Sequence, residues 1–363
     1  MPSVECRKPL TKEIHMKRPI CCVAALALLC CAGFAQIPPP AEQPASNAPQ
    51  VLPATTPLGT GPFKAIMEVD PTLAKHTVYR PDDIRAVGSA KLPILAWGNG
   101  ACAADGNSFR LFLTEIASHG YLAIANGPIG PDRAQFPPTM APNRGAAPTG
   151  VRGASAPAGR APQPGAAAKT GVPPGITSTP PTTTAQLIEA VDWAIAENSR
   201  QGSRYYGKLD ITKIAVAGMS CGGVQAIEAS VDPRVKTTIV ANSGLMTVPT
   251  TMSGSGKPVP KESLNLMHAP VLYMSGDESD IAYANANDDF EKINHIPVFR
   301  AFEKGIGHGG TYHDPDGGAF GKVALAWLDW QLKGSKKAAK VFQGNQCGLC
   351  ADPQWVTHKK KID

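Results

Sequence analysis

Short apolar runs alternate with amphipathic helical patterns along most of the sequence, and this alternation most constrains the possible fold. The apolar runs include KLPILAWGNG, YLAIANGP, KIAVAG and APVLYMSGD. Helical patterns such as TTAQLIEAVDWAIAEN and FGKVALAWLDWQL lie between or after them. Strands that alternate with helices favour an α/β fold with a mostly parallel central sheet and helices on both faces. Two earlier segments, 63–70 and 75–81, predict a pair of antiparallel strands instead.

The first 35 residues have the features of an export signal. A basic stretch, MKRP, precedes the apolar run ICCVAALALLCC, and small residues follow up to Ala35. This order predicts a signal peptide over residues 1–35, with cleavage before Gln36. Met16 stands where such signals usually begin, so it is a second candidate start. The protein is therefore expected to be secreted or periplasmic, with no membrane attachment after signal cleavage.

Two segments rich in proline and alanine interrupt the alternating pattern. Residues 36–60 contain little apolar surface to bury and predict a disordered Pro-rich spacer. Residues 131–184 have a similar character and predict a long surface loop, inserted into one α/β domain that spans 61–335. Residues 336–363, which contain the sequence CGLC, are expected to form a C-terminal tail beyond that domain.

The charge and cysteine content limit the classes of partner. The whole chain has a formal net charge of +6. Loss of the predicted signal, with its five Lys/Arg and two Asp/Glu, leaves +3 and no basic stripe of the kind that binds nucleic acid. Four cysteines remain, and in an exported chain they favour up to two disulfides. The motifs described below require neither a metal ion nor an organic cofactor.

The sequence GMSCGG directly follows the predicted strand KIAVAG and precedes the helical pattern VQAIEASV. A Gly-x-Ser-x-Gly sequence at a strand–helix junction is typical of a nucleophile elbow, which holds its serine on a sharp turn. Gly218 and Gly222 let the strand and the helix pass closely, and the helix N-terminus favours negative charge near Ser220. Ser220 is the predicted nucleophile. A glycine-rich turn that binds phosphate, or no ligand, is the alternative.

A serine hydroxyl is a weak nucleophile and needs a neighbouring base. His308, in the glycine-rich segment KGIGHGGTY after the last predicted strand, is the predicted base, and His313 is its rival. The chain order Ser, acid, His places the acid between the two. The segment MSGDESDIAY follows a strand and supplies two carboxylates, Asp277 and Asp280. Physical reasoning from the residues leaves both open.

Acyl transfer also needs N–H donors for the oxyanion that forms on the substrate. The backbone N–H of Cys221, directly after the nucleophile, is one predicted donor. The loop that follows the strand ILAW is expected to supply the other. Asn99 and Gly100 are the two candidates there, because the sequence GNG lets a backbone amide come close to a ligand.

Three segments resemble the α/β-hydrolase superfamily, in the neighbourhood of dienelactone hydrolases, chlorophyllases and cutinase-like polyester hydrolases. They are GNGACAADGNSFRLFLTEIASHGYLAIA, LDITKIAVAGMSCGG and SGDESDIA, and the resemblance covers about residues 61–335. It implies an α/β-hydrolase fold, and its third segment implies that Asp280 is the catalytic acid. The chain has Met219 where these families usually have His, and Cys221 where Met is frequent.

The four remaining cysteines form two candidate pairs. Cys102 follows the oxyanion loop and Cys221 follows the nucleophile, so the two are expected to form a disulfide or to remain buried free thiols. Cys347 and Cys350 form a C-x-x-C pair, for which a local structural disulfide is expected. Redox activity, or a zinc site with His358 as a third ligand, is the alternative for that pair.

These features predict an exported serine hydrolase. The most specific expectation is a carboxylic-ester hydrolase that acts on a small or polymeric ester through Ser220, His308, Asp280 and an acyl-enzyme. An acyltransferase with the same triad is one alternative. A non-catalytic exported binding module of the same fold is another, from a different functional class.

Overall fold

A nine-stranded sheet runs through the computed structural model, which describes residues 58–130, 182–248 and 257–363. The predicted signal peptide, most of the spacer and most of the 131–184 insert lie outside the described residues. In chain order the strands are β1 (Ala65–Glu68), β2 (His76–Pro81), β3 (Leu92–Gly98), β4 (Leu122–Asn126), β5 (Leu209–Met219), β6 (Val235–Ala241), β7 (Val271–Gly276), β8 (Val298–Glu303) and β9 (Trp355–Lys360).

The strand pairing confirms the predicted α/β class. In space the order is β1-β2-β4-β3-β5-β6-β7-β8-β9. All pairs from β4 to β8 are parallel, whereas β1–β2, β2–β4 and β8–β9 are antiparallel. The early antiparallel pair, β1 and β2, lies within the two segments predicted for it, and the central strands form the mostly parallel sheet.

Helices cover both faces of this sheet. They are α1 (Arg110–Ser118), α2 (Thr184–Ser199), α3 (Cys221–Ala229), α4 (Tyr283–Lys292), α5 (Gly318–Lys333) and the short α6 (Lys336–Ala339). α1 and α5 pack on one face, and α2, α3 and α4 pack on the other. No helix in the described ranges is long and apolar enough to cross a membrane.

The central strands read as continuous apolar runs because both of their faces are buried. In β5, Ala215 and Ala217 face the α1 and α5 side, whereas Ile214 and Val216 face the α2 and α3 side. Strands buried on both faces in this way are typical of parallel sheets. Each large apolar side chain buried here, such as Trp327 of α5, contributes about 1.5–3 kcal/mol to the stability of the core.

Residues 336–363 belong to the sheet domain, which corrects the prediction of a separate tail. β9 pairs antiparallel with β8, from Val298 opposite Lys360 to Glu303 opposite Trp355. The sequence WVTHKK of β9 resembles a solvated segment because lysines are common on edge strands, where they oppose further pairing. The domain therefore extends well beyond residue 335. At its other end Leu58, inside the predicted spacer, forms a bridge with Ala65.

The C-x-x-C pair forms the expected local disulfide, Cys347–Cys350. Cys347 is buried in the same cluster as α5 and Trp355. His358 lies on β9 opposite Arg300 of β8 and contacts the Phe290 ring. The two sulfurs are therefore bonded to each other, and His358 faces a different environment, so these side chains do not form one metal-ligand set.

A partly buried carboxyl at the end of β8 makes the stability of the fold depend on pH. Glu303 Oε2 is buried and has no hydrogen-bond partner among the described residues. Burial, together with the negative charges of Asp314 and Asp352, raises the pKa of Glu303 to about 7 from an ordinary value of 4.5. Between pH 4.5 and pH 7 the Glu303 carboxyl is ionised in the unfolded chain but still protonated in the folded protein. The contribution of Glu303 to stability is therefore full below pH 4.5 and is lost as the pH rises through 7.

We expect Glu303→Gln to stabilise the protein at alkaline pH. At pH 8 its free energy of unfolding should exceed that of the wild type by about 1–2 kcal/mol, less than the whole shift because the carboxyl is partly exposed. Near pH 4.5 the two proteins should be equally stable. Urea unfolding at both pH values measures this, with the exposed Glu278→Gln as the matched control. A stability difference that stays constant with pH would contradict the assignment.

Candidate active site

The carboxyl ends of neighbouring parallel strands supply all the polar groups of the candidate site. Asn99 directly follows β3, Ser220 follows β5 and Asn242 follows β6. Asp280 and His308 lie in the loops after β7 and β8. These five strands are adjacent in the sheet. Ligands of open α/β sheets bind at this edge, so the fold brings these residues together where such ligands bind.

Ser220 stands on a strained turn between β5 and α3. Its backbone has φ 54° and ψ −119°, a left-handed conformation that is rare for a side chain other than glycine. Two hydrogen bonds from the end of β6 hold the turn. Ser220 N donates to Ala241 O at 3.0 Å, and Ser243 Oγ donates to Ser220 O at 2.6 Å. This is the elbow geometry that the sequence predicted.

Close backbone contacts explain the glycines around Ser220. A Cβ on Gly222 would collide with the carbonyl of Gly98 at the end of β3. A Cβ on Gly218 would collide with the backbone of Gly222. The ends of β3 and β5 therefore touch the first turn of α3, and glycine is needed for this approach.

His308 connects Ser220 to Asp280. Its Nδ1 lies 2.6 Å from Asp280 Oδ1, and its Nε2 lies 3.0 Å from Ser220 Oγ. An ionised carboxylate can only accept hydrogen bonds, so Nδ1 carries the proton. In the neutral ring Nε2 then accepts the hydrogen bond from the Ser220 hydroxyl. The imidazole is thus oriented to take the proton of Ser220.

Asp280 is a buried carboxylate with several hydrogen-bond donors. Its side chain is 0% exposed, and it accepts from Ala282 N at 2.9 Å and from Asn242 Nδ2 at 2.8 Å. Burial acts to raise the pKa of Asp280, but hydrogen bonds from His308, Ala282 and Asn242 outweigh it and hold the pKa below its ordinary value. The carboxyl therefore stays ionised, as a group that orients an imidazole must.

Asp277, the other candidate acid, has different partners. Its Oδ1 accepts from Ser279 N and Oγ at 3.0 and 2.8 Å, and its Oδ2 accepts from Gly305 N at 2.6 Å. These bonds join the acid loop, residues 277–282 between β7 and α4, to the end of β8. Of the two carboxylates, Asp280 is the one that contacts His308.

His313, the rival base, packs against an aromatic ring. Its ring stacks on Phe109 at 5.7 Å between centroids. Of the two histidines, His308 is the one hydrogen-bonded to Ser220.

Asn242 and Tyr312 extend the polar chain beyond Asp280, and the sequence analysis missed both. Asn242 is fully buried and donates to Asp280 Oδ2, while its Oδ1 accepts a hydrogen bond of 2.6 Å from the Tyr312 hydroxyl. Burial, and then the charge of Asp280, raises the pKa of Tyr312 well above its usual value, so its hydroxyl keeps its proton. The position of Asn242, directly after a strand, was the one available signal.

The predicted oxyanion loop packs against the elbow. Asn99 Nδ2 donates to Ala103 O at 3.0 Å and to Asn126 O at 2.6 Å, so its side chain holds the loop to β4. Gly100 starts a 3-10 helix that ends at Cys102, and a Cβ on Gly100 would lie 2.8 Å from Met219 Sδ. The loop backbone is therefore next to the turn that carries Ser220, and the N–H groups of this loop and of Cys221 remain the predicted donors.

Cys102 and Cys221 form a disulfide between this loop and α3. Both residues are buried, and their Cα atoms are 5.2 Å apart. Of the two states that the sequence left open, the bonded one is thus found. Disulfides of this kind are typical of proteins in oxidising compartments.

No protein-family model and no curated protein matches the chain. The functional assignment therefore depends on the geometry of the site and on the chemistry of its residues.

Proposed function

We propose that the protein is an exported serine hydrolase with an α/β-hydrolase fold, and specifically a carboxylic-ester hydrolase. One observation carries the proposal. Ser220 Oγ, His308 Nε2, His308 Nδ1 and Asp280 Oδ1 form a continuous hydrogen-bonded chain with distances of 3.0 and 2.6 Å. This combination of nucleophile, base and orienting acid is the arrangement that activates a serine for acyl transfer.

The reaction begins when Ser220 Oγ attacks the ester carbonyl while His308 Nε2 takes the hydroxyl proton. Asp280 stabilises the imidazolium that forms, and backbone N–H groups stabilise the oxyanion. His308 then gives the proton to the leaving alcohol, and an acyl-enzyme remains on Ser220. Water, activated by the same histidine, attacks this acyl group and releases the carboxylic acid. Side chains, backbone amides and water supply every group in this sequence of steps.

Three further observations support the family and the location. The nucleophile lies between a strand and a helix, and the acid and the histidine follow in the chain order found in α/β-hydrolases. The motifs quoted above resemble dienelactone hydrolases and their cutinase-like neighbours. The predicted signal peptide and two disulfides favour an oxidising compartment outside the cytoplasm. The proposed substrate is a small or polymeric ester.

Covalent labelling tests the proposal without knowledge of the natural ester. We expect a fluorophosphonate probe to modify the folded protein once, on the peptide that contains Ser220, because only an activated serine reacts rapidly. Mass spectrometry of the digested protein identifies the site. Ser220→Ala should not be labelled, and His308→Ala should be labelled far more slowly. Absence of labelling in the folded wild type would favour the binding-module alternative.

A panel of p-nitrophenyl esters of increasing acyl length then separates the remaining possibilities. Release of free acid in water supports hydrolysis. Transfer of the acyl group to an added alcohol at the expense of free acid would instead indicate the acyltransferase.

A further inference from the structure

The disulfide Cys102–Cys221 joins the two chain segments that are predicted to hold the oxyanion. Cys221 is the first residue of α3 and directly follows Ser220. Cys102 is the last residue of the 3-10 helix that starts at Gly100. The two cysteines are 119 residues apart in the chain, so no local structure fixes their distance. The bond therefore sets the position of the Asn99 and Gly100 amides relative to the Cys221 amide, which are the candidate oxyanion donors.

The loop that carries Cys102 is conformationally strained. Ala101 and Cys102 are consecutive residues with φ of 53° and 49°. A left-handed conformation is unfavourable at residues other than glycine and persists only where the surroundings enforce it. The loop would therefore relax toward another backbone conformation if its attachments were weakened.

Hydrogen bonds from two other segments hold the strained end of this loop. The carbonyl of Cys102 accepts hydrogen bonds from Thr182 N at 2.7 Å and from Thr182 Oγ1 at 3.1 Å. Gln225 Nε2 of α3 lies 3.1 Å from Cys102 Sγ and donates to Thr182 O at 2.8 Å. The disulfide is the covalent attachment of Cys102 to α3.

We propose that the Cys102–Cys221 disulfide is a positioning element for the oxyanion donors, and that this site works at full rate only when the bond is formed. The inference rests on the proposed function. The bond keeps the strained loop at a fixed distance from the Cys221 amide, so the donors are already in place when charge develops on the substrate. Such donors act mainly in the transition state, so their displacement lowers kcat more than it raises KM.

The loss of activity should be distinguishable from a loss of stability. A bond that closes a long loop also destabilises the unfolded chain, so its removal lowers the melting temperature whatever its role in catalysis. A purely structural bond would leave kcat unchanged at temperatures where the variant is folded. Affinity for an alkyl boronic acid, which forms a tetrahedral anionic adduct with the serine, reports directly on the oxyanion donors.

The experiment compares Cys102→Ala, Cys221→Ala and the double variant with the wild type on one p-nitrophenyl ester, well below each melting temperature. We expect kcat to fall by about 10- to 100-fold with little change in KM, because a displacement of about 1 Å can cost 10²-fold. Boronate affinity should fall by the same factor as kcat/KM. The two single variants and the double variant should lose the same factor, because each breaks the same bond.

The second disulfide provides the matched control. The Cys347→Ala/Cys350→Ala variant removes a buried bond remote in sequence from the site and should keep the wild-type kcat. An unchanged kcat in the Cys102 and Cys221 variants, or an equal loss in the control, would overturn the proposal. Where the alanine variants do not fold, the wild type is partly reduced with a phosphine and alkylated. kcat should then follow the fraction of intact Cys102–Cys221, and kcat independent of that fraction is again the contrary result.

The same assays separate failure of this inference from failure of the proposed function. If Ser220→Ala keeps the ester turnover of the wild type, the proposed function is wrong, and the disulfide experiment has lost its basis. If Ser220→Ala is inactive but the Cys102→Ala/Cys221→Ala variant keeps full kcat, the hydrolase stands and only the positioning role is wrong.

Discussion

Ser220→Ala should lower kcat for a simple ester by about 10⁵- to 10⁶-fold while the protein remains folded. The substitution removes the oxygen that we propose as the nucleophile, and it leaves the buried core of the elbow unchanged. His308→Ala should cost a similar factor, because without its base Ser220 cannot lose its proton. The double variant should be no slower than either single one, since the members of a triad act as a unit.

Initial rates on p-nitrophenyl acetate, with circular dichroism to verify folding, measure this effect. Ser279→Ala is the matched control, because it removes a hydroxyl from the acid loop that bonds to Asp277 rather than to the triad. It should remain close to the wild type. Retention of near-normal activity by Ser220→Ala would refute the assignment of the nucleophile.

Asp280→Asn should lower turnover by about 10⁴-fold, whereas Asp277→Asn should cost far less. The buried Asp280 carboxylate accepts the Nδ1–H of His308, which leaves Nε2 free to accept the proton of Ser220. An amide in its place can donate to Nδ1, which favours the tautomer with the proton on Nε2. That tautomer cannot act as the base. The Asp277 side chain bonds to Ser279 and to Gly305, so its loss affects the loop and not the imidazole.

Both asparagine variants are nearly isosteric with aspartate, so each serves as the control for the other. Both variants are assayed on the same ester at the same pH and temperature. Thermal melting shows how far each substitution destabilises the protein. Equal losses would show that the loop as a whole matters more than the orientation of His308. A larger loss in Asp277→Asn would reverse the assignment of the acid.

The sequence predicts much of the frame of this site because its signals are local. The apolar runs predict the buried parallel strands, and the glycines of GMSCGG predict the elbow, since the backbone contacts at Gly218 and Gly222 exclude a side chain. The disulfide Cys347–Cys350 follows from spacing. These features depend on neighbouring residues along the chain, and the structure confirms them.

Other features depend on contacts between distant segments, and sequence reasoning did not reach them. The choice of Asp280 over Asp277 came from the resemblance and not from physical reasoning on the residues, because the difference lies in the direction that the loop turns each side chain. Asn242 and Tyr312 belong to no motif, and their role exists only because β6 and the His308 loop meet at Asp280. β9 was missed because its lysines match the pattern of a tail as well as that of an edge strand.

The place of β9 at the edge of β8 has a consequence for the order in which a growing chain completes its sheet. His308 follows β8 by only a few residues, whereas β9 lies much further along the chain. During synthesis His308 therefore emerges well before β9, the strand that pairs with the free edge of β8. In that interval β8 exposes unpaired N–H and C=O groups, which favour association between incomplete chains. Emergence of the lysine-rich segment around Lys359 ends this interval, because it both fills the edge and adds positive charge there.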